Sequence, residues 1–361
     1  MTCRLRTAAF ASACLVLLWG AAAAEAQLPQ PLLNSIEPAG AKQGTEFELE
    51  IKGNDLDQVE KLLFSHPGIT AKPKMLPADD FHKAERVEPN KFLVKIAGNV
   101  EPGYYEVVAS GRFGVSNPRA FSVGTYPDVA EEENDTLEKA QLLTLGSTVN
   151  GRTEKSKVDY YKLHLTKGQR VLFDCAAQRL DSRMDATLVL LNAQGREIAR
   201  ARDYDLRDPL LDFTAPEEAD YTLGVYDYIY EGGDGYHYRL TVHNGPHVDF
   251  VYPPVGLPGE TVKAKVYGRN LPGGKPCEYT LDGAQLQVME TNISRPGDPQ
   301  AAQALPVERF VPLARASCSG FPWQLAGTQR PYLIGFGSAS VVLEQDQNNE
   351  PAQAQSVAVP C

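Results

Sequence analysis

The stretch from residue 131 to residue 242 constrains the fold more than any other part of the chain, because apolar and polar residues alternate there in short runs. In one run, Tyr161, Leu163 and Leu165 fall on the same face of a strand, and the run from Tyr236 to Val242 repeats the pattern. Gly, Asn and Asp residues separate the runs. This punctuation predicts an antiparallel β-sandwich.

The order of these motifs resembles the bacterial pre-peptidase C-terminal domain. The motifs that carry the resemblance are Glu131–Thr136, Asp159–Leu163, Gly168–Phe173, Asp185–Leu190, Asn192–Gly195, Asp220–Val225 and Tyr236–Val242. The resemblance covers residues 127–244, about a third of the chain. It implies a jelly-roll-like sandwich of secreted bacterial proteins, one that is extracellular, non-catalytic and often placed beside a protease.

Residues 32–124 have the turns and strands of a second kind of sandwich, and they resemble the IPT/TIG class of immunoglobulin-like domains. Their turn residues recur 215 positions later, where Pro38, Gly44, Gly53 and Leu56 are matched by Pro253, Gly259, Gly268 and Leu271. We therefore expect a second immunoglobulin-like domain at residues 246–343. The predicted fold class is all-β, with three tandem β-sandwiches.

A second repeat lies near the C-terminus, where Asn134, Ala140 and Gln141 recur 214 positions later as Asn348, Ala354 and Gln355. We interpret residues 345–361 as the truncated start of another pre-peptidase-type domain, and we expect the gene product to continue beyond it. Such a short segment buries little apolar surface against the cost of ordering its backbone. It is therefore predicted to be disordered or loosely docked, with Cys361 free to form an intermolecular disulfide.

The first 26 residues have the features of a secretory signal peptide. Arg4 and Arg6 precede a short apolar run, and an Ala-x-Ala motif ends at Ala26, so cleavage predicts a mature chain from Gln27. The apolar run is shorter than the roughly 20 residues that span a bilayer. We expect a secreted or cell-surface protein without a membrane span.

The charge of the chain limits the classes of molecule it can bind, and its cysteines limit the possible disulfides. The net charge is −11 and no basic block is present, which argues against nucleic acid as a partner. Cys277 and Cys318 lie in one predicted domain, and export permits a disulfide between them. Two buried thiols are an equally good interpretation.

No catalytic motif is visible, so we expect a protein that is not an enzyme. The glycine-rich run at residues 231–235 lacks the Lys-Ser/Thr of a phosphate loop and predicts a hairpin. His164 and His237 alternate with apolar residues, which places both on a solvated sheet face.

Acidic residues form one candidate site, and they are Glu132, Glu133, Asn134, Asp135 and Asp159. Calcium prefers such oxygen ligands. The resemblance also implies calcium, because calcium-binding relatives use a leading Asn-Asp and an acidic pair before Tyr-Tyr. Lys157 stands where the second acid of that pair is expected, and its ammonium repels a cation. The alternative is a solvated acidic linker.

Aromatic residues form the other candidate site. If Tyr221 and the alternate residues after it face the core, then Tyr226, Tyr228 and Tyr230 face outward on one strand. Three such rings suit the binding of a polypeptide or of sugar rings. The alternative is a face that a neighbouring domain covers.

Taken together, the sequence favours a non-catalytic protein that binds an extracellular polysaccharide or protein polymer, or that spaces other domains apart. The alternative is an accessory region of a secreted peptidase or other hydrolase, whose catalytic domain is absent from this chain.

Overall fold

The computed structural model describes residues 29–297, 320–345 and 347–361, so the predicted signal peptide and Cys318 lie outside the described residues. The fold is all-β and consists of tandem β-sandwiches, which confirms the predicted fold class. Helical structure in the described residues is confined to single 3-10 turns at Leu137–Lys139, Gln178–Leu180 and Pro351–Gln353. None of the described helices is long and apolar enough to cross a membrane.

The first sandwich is built from residues 32–124. Its strands are β1 (Leu32–Glu37), β2 (Gly40–Lys42), β3 (Glu46–Asn54), β4 (Val59–Phe64), β5 (Ile69–Leu76), β6 (Arg86–Ile96), β7 (Gly103–Gly111), β8 (Gly114–Val115) and β9 (Arg119–Gly124). One sheet has the order β1-β3-β6-β5, and the other has the order β2-β9-β7-β4, with β8 paired to β7. Alternation in β3 directs Leu49 and Ile51 into the core, where both are fully buried.

The central sandwich follows. Its strands are β10 (Asp128–Ala130), β11 (Gln141–Leu142), β12 (Ser147–Arg152), β13 (Asp159–Leu165), β14 (Arg170–Ala176), β15 (Ala186–Leu191), β16 (Glu197–Ala201), β17 (Leu210–Thr214), β18 (Ala219–Asp227) and β19 (His237–His243). The two five-stranded sheets have the orders β10-β12-β19-β14-β17 and β11-β13-β18-β15-β16. The glycine-rich run at residues 231–235 was predicted as a hairpin, and this is wrong, because β18 and β19 belong to different sheets.

The chain enters the central sandwich through residues 128–142, which we call the leading segment. Its β10 pairs in parallel with β12 in one sheet, and its β11 pairs in parallel with β13 in the other. The segment therefore crosses from sheet to sheet. Asp128 lies opposite Thr148, and Val242 near the end of β19 lies opposite the adjacent Ser147. The chain consequently enters and leaves this sandwich at the same end.

The third sandwich contains β20 (His247–Tyr252), β21 (Val255–Gly256), β22 (Thr261–Arg269), β23 (Lys275–Leu281), β24 (Ala284–Ser294), β25 (Gly320–Trp323) and β26 (Tyr332–Phe336). Its sheets have the orders β20-β22-β24-β23 and β21-β26-β25. Cys277 is a free thiol whose Sγ lies 3.3 Å from the Leu286 carbonyl oxygen. Its predicted partner is outside the described part of the chain.

The 215-residue repeat extends to the backbone. Pro38 and Pro253 both follow cis peptide bonds. A Cβ atom added to Gly53 would lie 1.9 Å from a carbonyl oxygen of β1, and one added to Gly268 would lie 2.0 Å from the matching oxygen of β20. Only glycine allows this approach of two strands. The repeated glycine therefore has the same physical cause in both sandwiches.

The central and third sandwiches meet at a buried cluster of charges. Arg179 donates to Asp208 Oδ2 at 2.8 Å and to Asp174 Oδ1 at 2.6 Å, and its side chain is only 4% exposed. Arg330 of the third sandwich pairs with Asp205 of the central one. Burial favours a neutral acid, but the Arg179 charge and its hydrogen bond hold the pKa of Asp174 well below its usual range.

Direct contacts also join the outer sandwiches and the two linkers. The Gln329 Nε2 of the third sandwich donates to Thr125 Oγ1 at 2.7 Å, just beyond the end of β9. Tyr126 lies just before the first strand of the central sandwich, and His243 is the last residue of its last strand. The centroids of these two rings are 5.7 Å apart. The two linkers therefore run side by side.

Candidate functional site

The acidic leading segment is anchored through a carboxylate that the sequence analysis did not select. Glu131 Oε1 accepts hydrogen bonds from the hydroxyls of Tyr161 and Tyr238, each at 3.0 Å. Its Oε2 accepts from the Arg152 backbone N–H, also at 3.0 Å. The two tyrosines are fully buried and come from opposite sheets, so this carboxylate closes one end of the sandwich.

Asp159 belongs to the same cluster. Its Oδ2 lies 2.9 Å from the Tyr238 hydroxyl, and the side chain is 5% exposed. Burial, and then the nearby charge of Glu131, raises the pKa of Asp159 to about 8. Burial also raises the pKa of Glu131, against the opposing effect of its hydrogen bonds from Arg152, Tyr238 and Tyr161. A proton is therefore favoured on this pair near neutral pH.

The remaining predicted calcium ligands lie in separate surroundings. Asp135 pairs with Lys157 at 3.0 Å, and Glu133 pairs with Lys139 at 2.5 Å. Lys157 also pairs with a second acid, Glu154, at 2.6 Å. The hydrogen bonds that the Lys157 ammonium donates to Glu154 and then to Asp135 raise the pKa of Lys157, which keeps the ammonium charged. Lys157 and Lys139 thus lie against the acids that were predicted to bind calcium.

Backbone hydrogen bonds hold Glu132 and Asn134, the other two predicted calcium ligands, in place. The Glu132 N–H donates to Gln141 Oε1 at 3.1 Å, and the Asn134 carbonyl accepts from the Tyr160 N–H at 2.8 Å. The Asn134 side chain is 4% exposed, and its amide nitrogen has no hydrogen-bond partner in the described residues. Within those same ranges, no group of three or more acids, histidines or cysteines is arranged to hold a metal ion.

The predicted tyrosine row differs from the structure. Strand β18 ends at Asp227, so Tyr228 and Tyr230 lie in the following turn, and the prediction of three outward rings on one strand is wrong. Tyr226 is on the outer face of β18 but is only 7% exposed. The Arg200 guanidinium donates a hydrogen bond to the Tyr226 hydroxyl at 2.6 Å. The Tyr230 ring stacks on the Tyr226 ring, with centroids 4.8 Å apart.

Two of these rings nevertheless form an exposed aromatic turn. Tyr228 is 52% exposed and Tyr230 is 45% exposed. The backbone of this turn is held by the buried Asp227 carboxylate. That carboxylate accepts hydrogen bonds from the backbone N–H groups of Asp185, Ile229 and Glu231 at 2.8–3.1 Å. We call residues 228–230 the aromatic turn.

The prediction that His164 and His237 both lie on a solvated sheet face is correct for only one of them. His164 is exposed as expected and bonds to Asp220 at 3.0 Å. His237 is 6% exposed, so its predicted solvated position is wrong. It bonds to the Leu180 carbonyl oxygen at 3.0 Å, because a 3-10 turn and the first sandwich cover the outer face of β19 there. Burial lowers the pKa of His237.

No family model and no curated protein matches the chain. Among solved structures, the pre-peptidase C-terminal domain of a collagenase from Bacillus anthracis is 20% identical, with a TM-score of 0.25, and the match covers 30% of this chain and 99% of that one.

Two further solved structures match parts of the chain. A periplasmic inhibitor of g-type lysozyme from Aeromonas hydrophila is 14% identical, with a TM-score of 0.24, over 32% of this chain and 96% of its own. A glucan-utilisation protein from Bacteroides ovatus, solved with a mixed-linkage heptasaccharide, is 10% identical, with a TM-score of 0.21, over 60% of this chain and 77% of its own.

Proposed function

We propose that this chain is an exported, non-catalytic protein that binds an extracellular polymer, and that the aromatic turn is its contact surface. The observation that carries this proposal is the pair of exposed rings, Tyr228 and Tyr230, on a backbone that Asp227 already orders. The proposal includes the predicted signal peptide, an immunoglobulin-like domain of the IPT/TIG type on each side of the central sandwich, and a secreted or cell-surface location.

The physical basis of the proposal is the small entropy that these tyrosine rings would lose when a polymer binds to them. A tyrosine ring offers a large apolar face and a polar tip, and such rings are enriched where proteins bind other molecules. Because the Tyr230 ring stacks on Tyr226 before any ligand arrives, little side-chain entropy is lost on binding.

A cation supports the other ring. The Arg202 guanidinium lies 3.5 Å from the centre of the Tyr228 ring and covers one of its faces. A polymer bound along the aromatic turn would contact the apolar faces and the polar edges of the tyrosine rings. Sugar rings and an extended polypeptide backbone both have apolar and polar groups that match such a surface.

Binding to insoluble polymers tests the proposal. The natural chain is incubated with collagen, gelatin, chitin and cellulose, and the bound fraction is measured after sedimentation. We expect at least one polymer to retain it, and Tyr228→Ala and Tyr230→Ala each to weaken retention about tenfold, which is the effect of losing about 1.4 kcal/mol.

Tyr279→Ala is the matched control, because Tyr279 is 48% exposed but lies on the third sandwich. It should bind like the natural chain. Retention that is equal in all four proteins would contradict the assignment of the aromatic turn, and no retention by any polymer would contradict polymer binding.

A further inference from the structure

The C-terminal part of the chain repeats the leading segment in three dimensions, but no sandwich of the described residues packs beneath it. We propose that residues 341–345 and 348–355, together with the outer face that carries Tyr252 and Tyr267, form a docking surface for another sandwich of the central type. The occupant is a β-sandwich with a free parallel edge and a buried tyrosine pair beside an acid.

The first support is a shared pattern of hydrogen bonds. In the leading segment, Gln141 donates to the Ala130 carbonyl at 2.8 Å and accepts from the Glu132 N–H at 3.1 Å. In the C-terminal copy, Gln355 donates to the Leu343 carbonyl and accepts from the Gln345 N–H, both at 2.9 Å.

The backbone between these contacts also repeats. The 3-10 turn Leu137–Lys139 is matched by Pro351–Gln353. The residue before each turn is extended, with φ/ψ of −135°/157° and −113°/145°, and the residue after each has −50°/119° and −55°/129°. The copy thus has the conformation that the leading segment adopts when it is docked.

The copies differ in what they contact. Val129 of β10 packs against the central core, whereas its counterpart Val342 is 44% exposed. In the described residues, no strand pairs with residues 341–343. The shared hydrogen bonds align exposed Glu344 with Glu131, the acid that binds the tyrosine pair. An edge strand and an anchoring carboxylate are therefore presented together.

The second support comes from the third sandwich itself. In the first sandwich, Glu37 pairs with Arg152 at 3.0 Å and Lys52 pairs with Asp234 at 3.6 Å, so this face contacts the central sandwich. The positions 215 residues later are Tyr252 and Tyr267. Aromatic residues therefore stand where the repeat places a contact between sandwiches.

These two rings differ in exposure, because Tyr267 is only 9% exposed and the Phe250 and Tyr279 rings lie against it. Tyr252 is 43% exposed, and the Tyr267 ring stacks on Phe250 with centroids 4.5 Å apart. Both parts of the proposed surface thus correspond to parts of the first repeat that bind a central-type sandwich. This inference does not depend on polymer binding by the aromatic turn.

An exchange within the full chain tests whether the copy fits such a sandwich. Residues 128–141 are replaced by the sequence of residues 341–355, which is one residue longer. We expect the exchanged chain to melt within about 4 °C of the natural one. Hydrogen exchange should show the amides of β12 and β13 protected as in the natural chain. A chain in which a Gly/Ser linker replaces residues 128–141 should melt lower and lose that protection.

A single substitution tests the anchoring acid. Glu344→Ala within the transplanted segment should lower the melting temperature as much as Glu131→Ala does in the natural chain. An exchanged chain that behaves like the Gly/Ser chain, or that is indifferent to the Glu344 substitution, would overturn the proposal.

Discussion

The hydroxyl groups of Tyr161 and Tyr238 lie 2.6 Å apart, although β13 and β19 belong to opposite sheets of the central sandwich. Glu131 accepts a hydrogen bond from each of them, so the leading segment is fastened to both sheets through one pair of tyrosines.

Removal of one hydroxyl should weaken this attachment. Tyr238→Phe removes the hydroxyl that lies 3.0 Å from Glu131 Oε1 and 2.9 Å from Asp159 Oδ2, and an unsatisfied buried polar group costs about 1–3 kcal/mol. We expect a loss of this size in the free energy of unfolding, measured by urea denaturation. Tyr279→Phe, at an exposed ring, is the control. An equal effect of the two substitutions would contradict the role of the cluster.

The same cluster should make stability depend on pH. The pKa of Asp159 rises from 3.8 to about 8 on folding, so the folded state binds the proton more tightly. Its contribution is therefore greatest at low pH and is lost as the pH rises towards 8. We expect melting temperatures of the natural chain to fall relative to those of Asp159→Asn across this window. Parallel curves for the two proteins would contradict the raised pKa.

Calcium binding remains a proposal, and Lys157 offers the sharpest test of it. A cation that binds Asp135 must displace the ammonium 3.0 Å away. We expect Ca²⁺ to raise the melting temperature more in Lys157→Gln than in the natural chain, and Asp159→Ala to abolish the gain.

Lys155→Gln is the control for calcium, because Lys155 pairs with the distant Glu231 and should not alter the response. Melting curves that Ca²⁺ and chelator leave unchanged in every variant would contradict calcium binding at these acids.

The charge cluster between the sandwiches should be sensitive to the loss of one partner. Arg179→Met leaves the buried Asp174 and Asp208 without their guanidinium, and breaking a buried ion pair in this way costs about 3–5 kcal/mol. Lys263→Met removes an exposed pair with Glu290 and should cost under about 1 kcal/mol. Thermal unfolding compares the two, and similar losses would contradict a structural role for the cluster.

The sequence predicted local patterns well. Alternation correctly placed Tyr161, Leu163 and Leu165 in the core, because each strand has one face that must be buried. The 215-residue repeat correctly paired Gly53 with Gly268, since close approach of two strands selects glycine wherever it occurs.

Contacts between distant parts of the chain were not predictable in this way. Glu131 and Tyr238 are 107 residues apart, and no local pattern joins them, although two inward tyrosines required polar partners. His237 looked solvated because alternation cannot reveal that a neighbouring sandwich covers the outer face. Tyr228 was placed on a strand because nothing in the alternation showed that Asp227 would start a turn.

The side-by-side linkers of the central sandwich have a consequence for the architecture of the chain. Since Tyr126 and His243 lie next to each other, the central sandwich projects from the chain path as a side branch, and the outer sandwiches touch without it. Adjacent termini are the geometry in which one domain can be inserted into another. The spacing of the outer sandwiches is therefore set by their own contact and not by the length of the central sandwich.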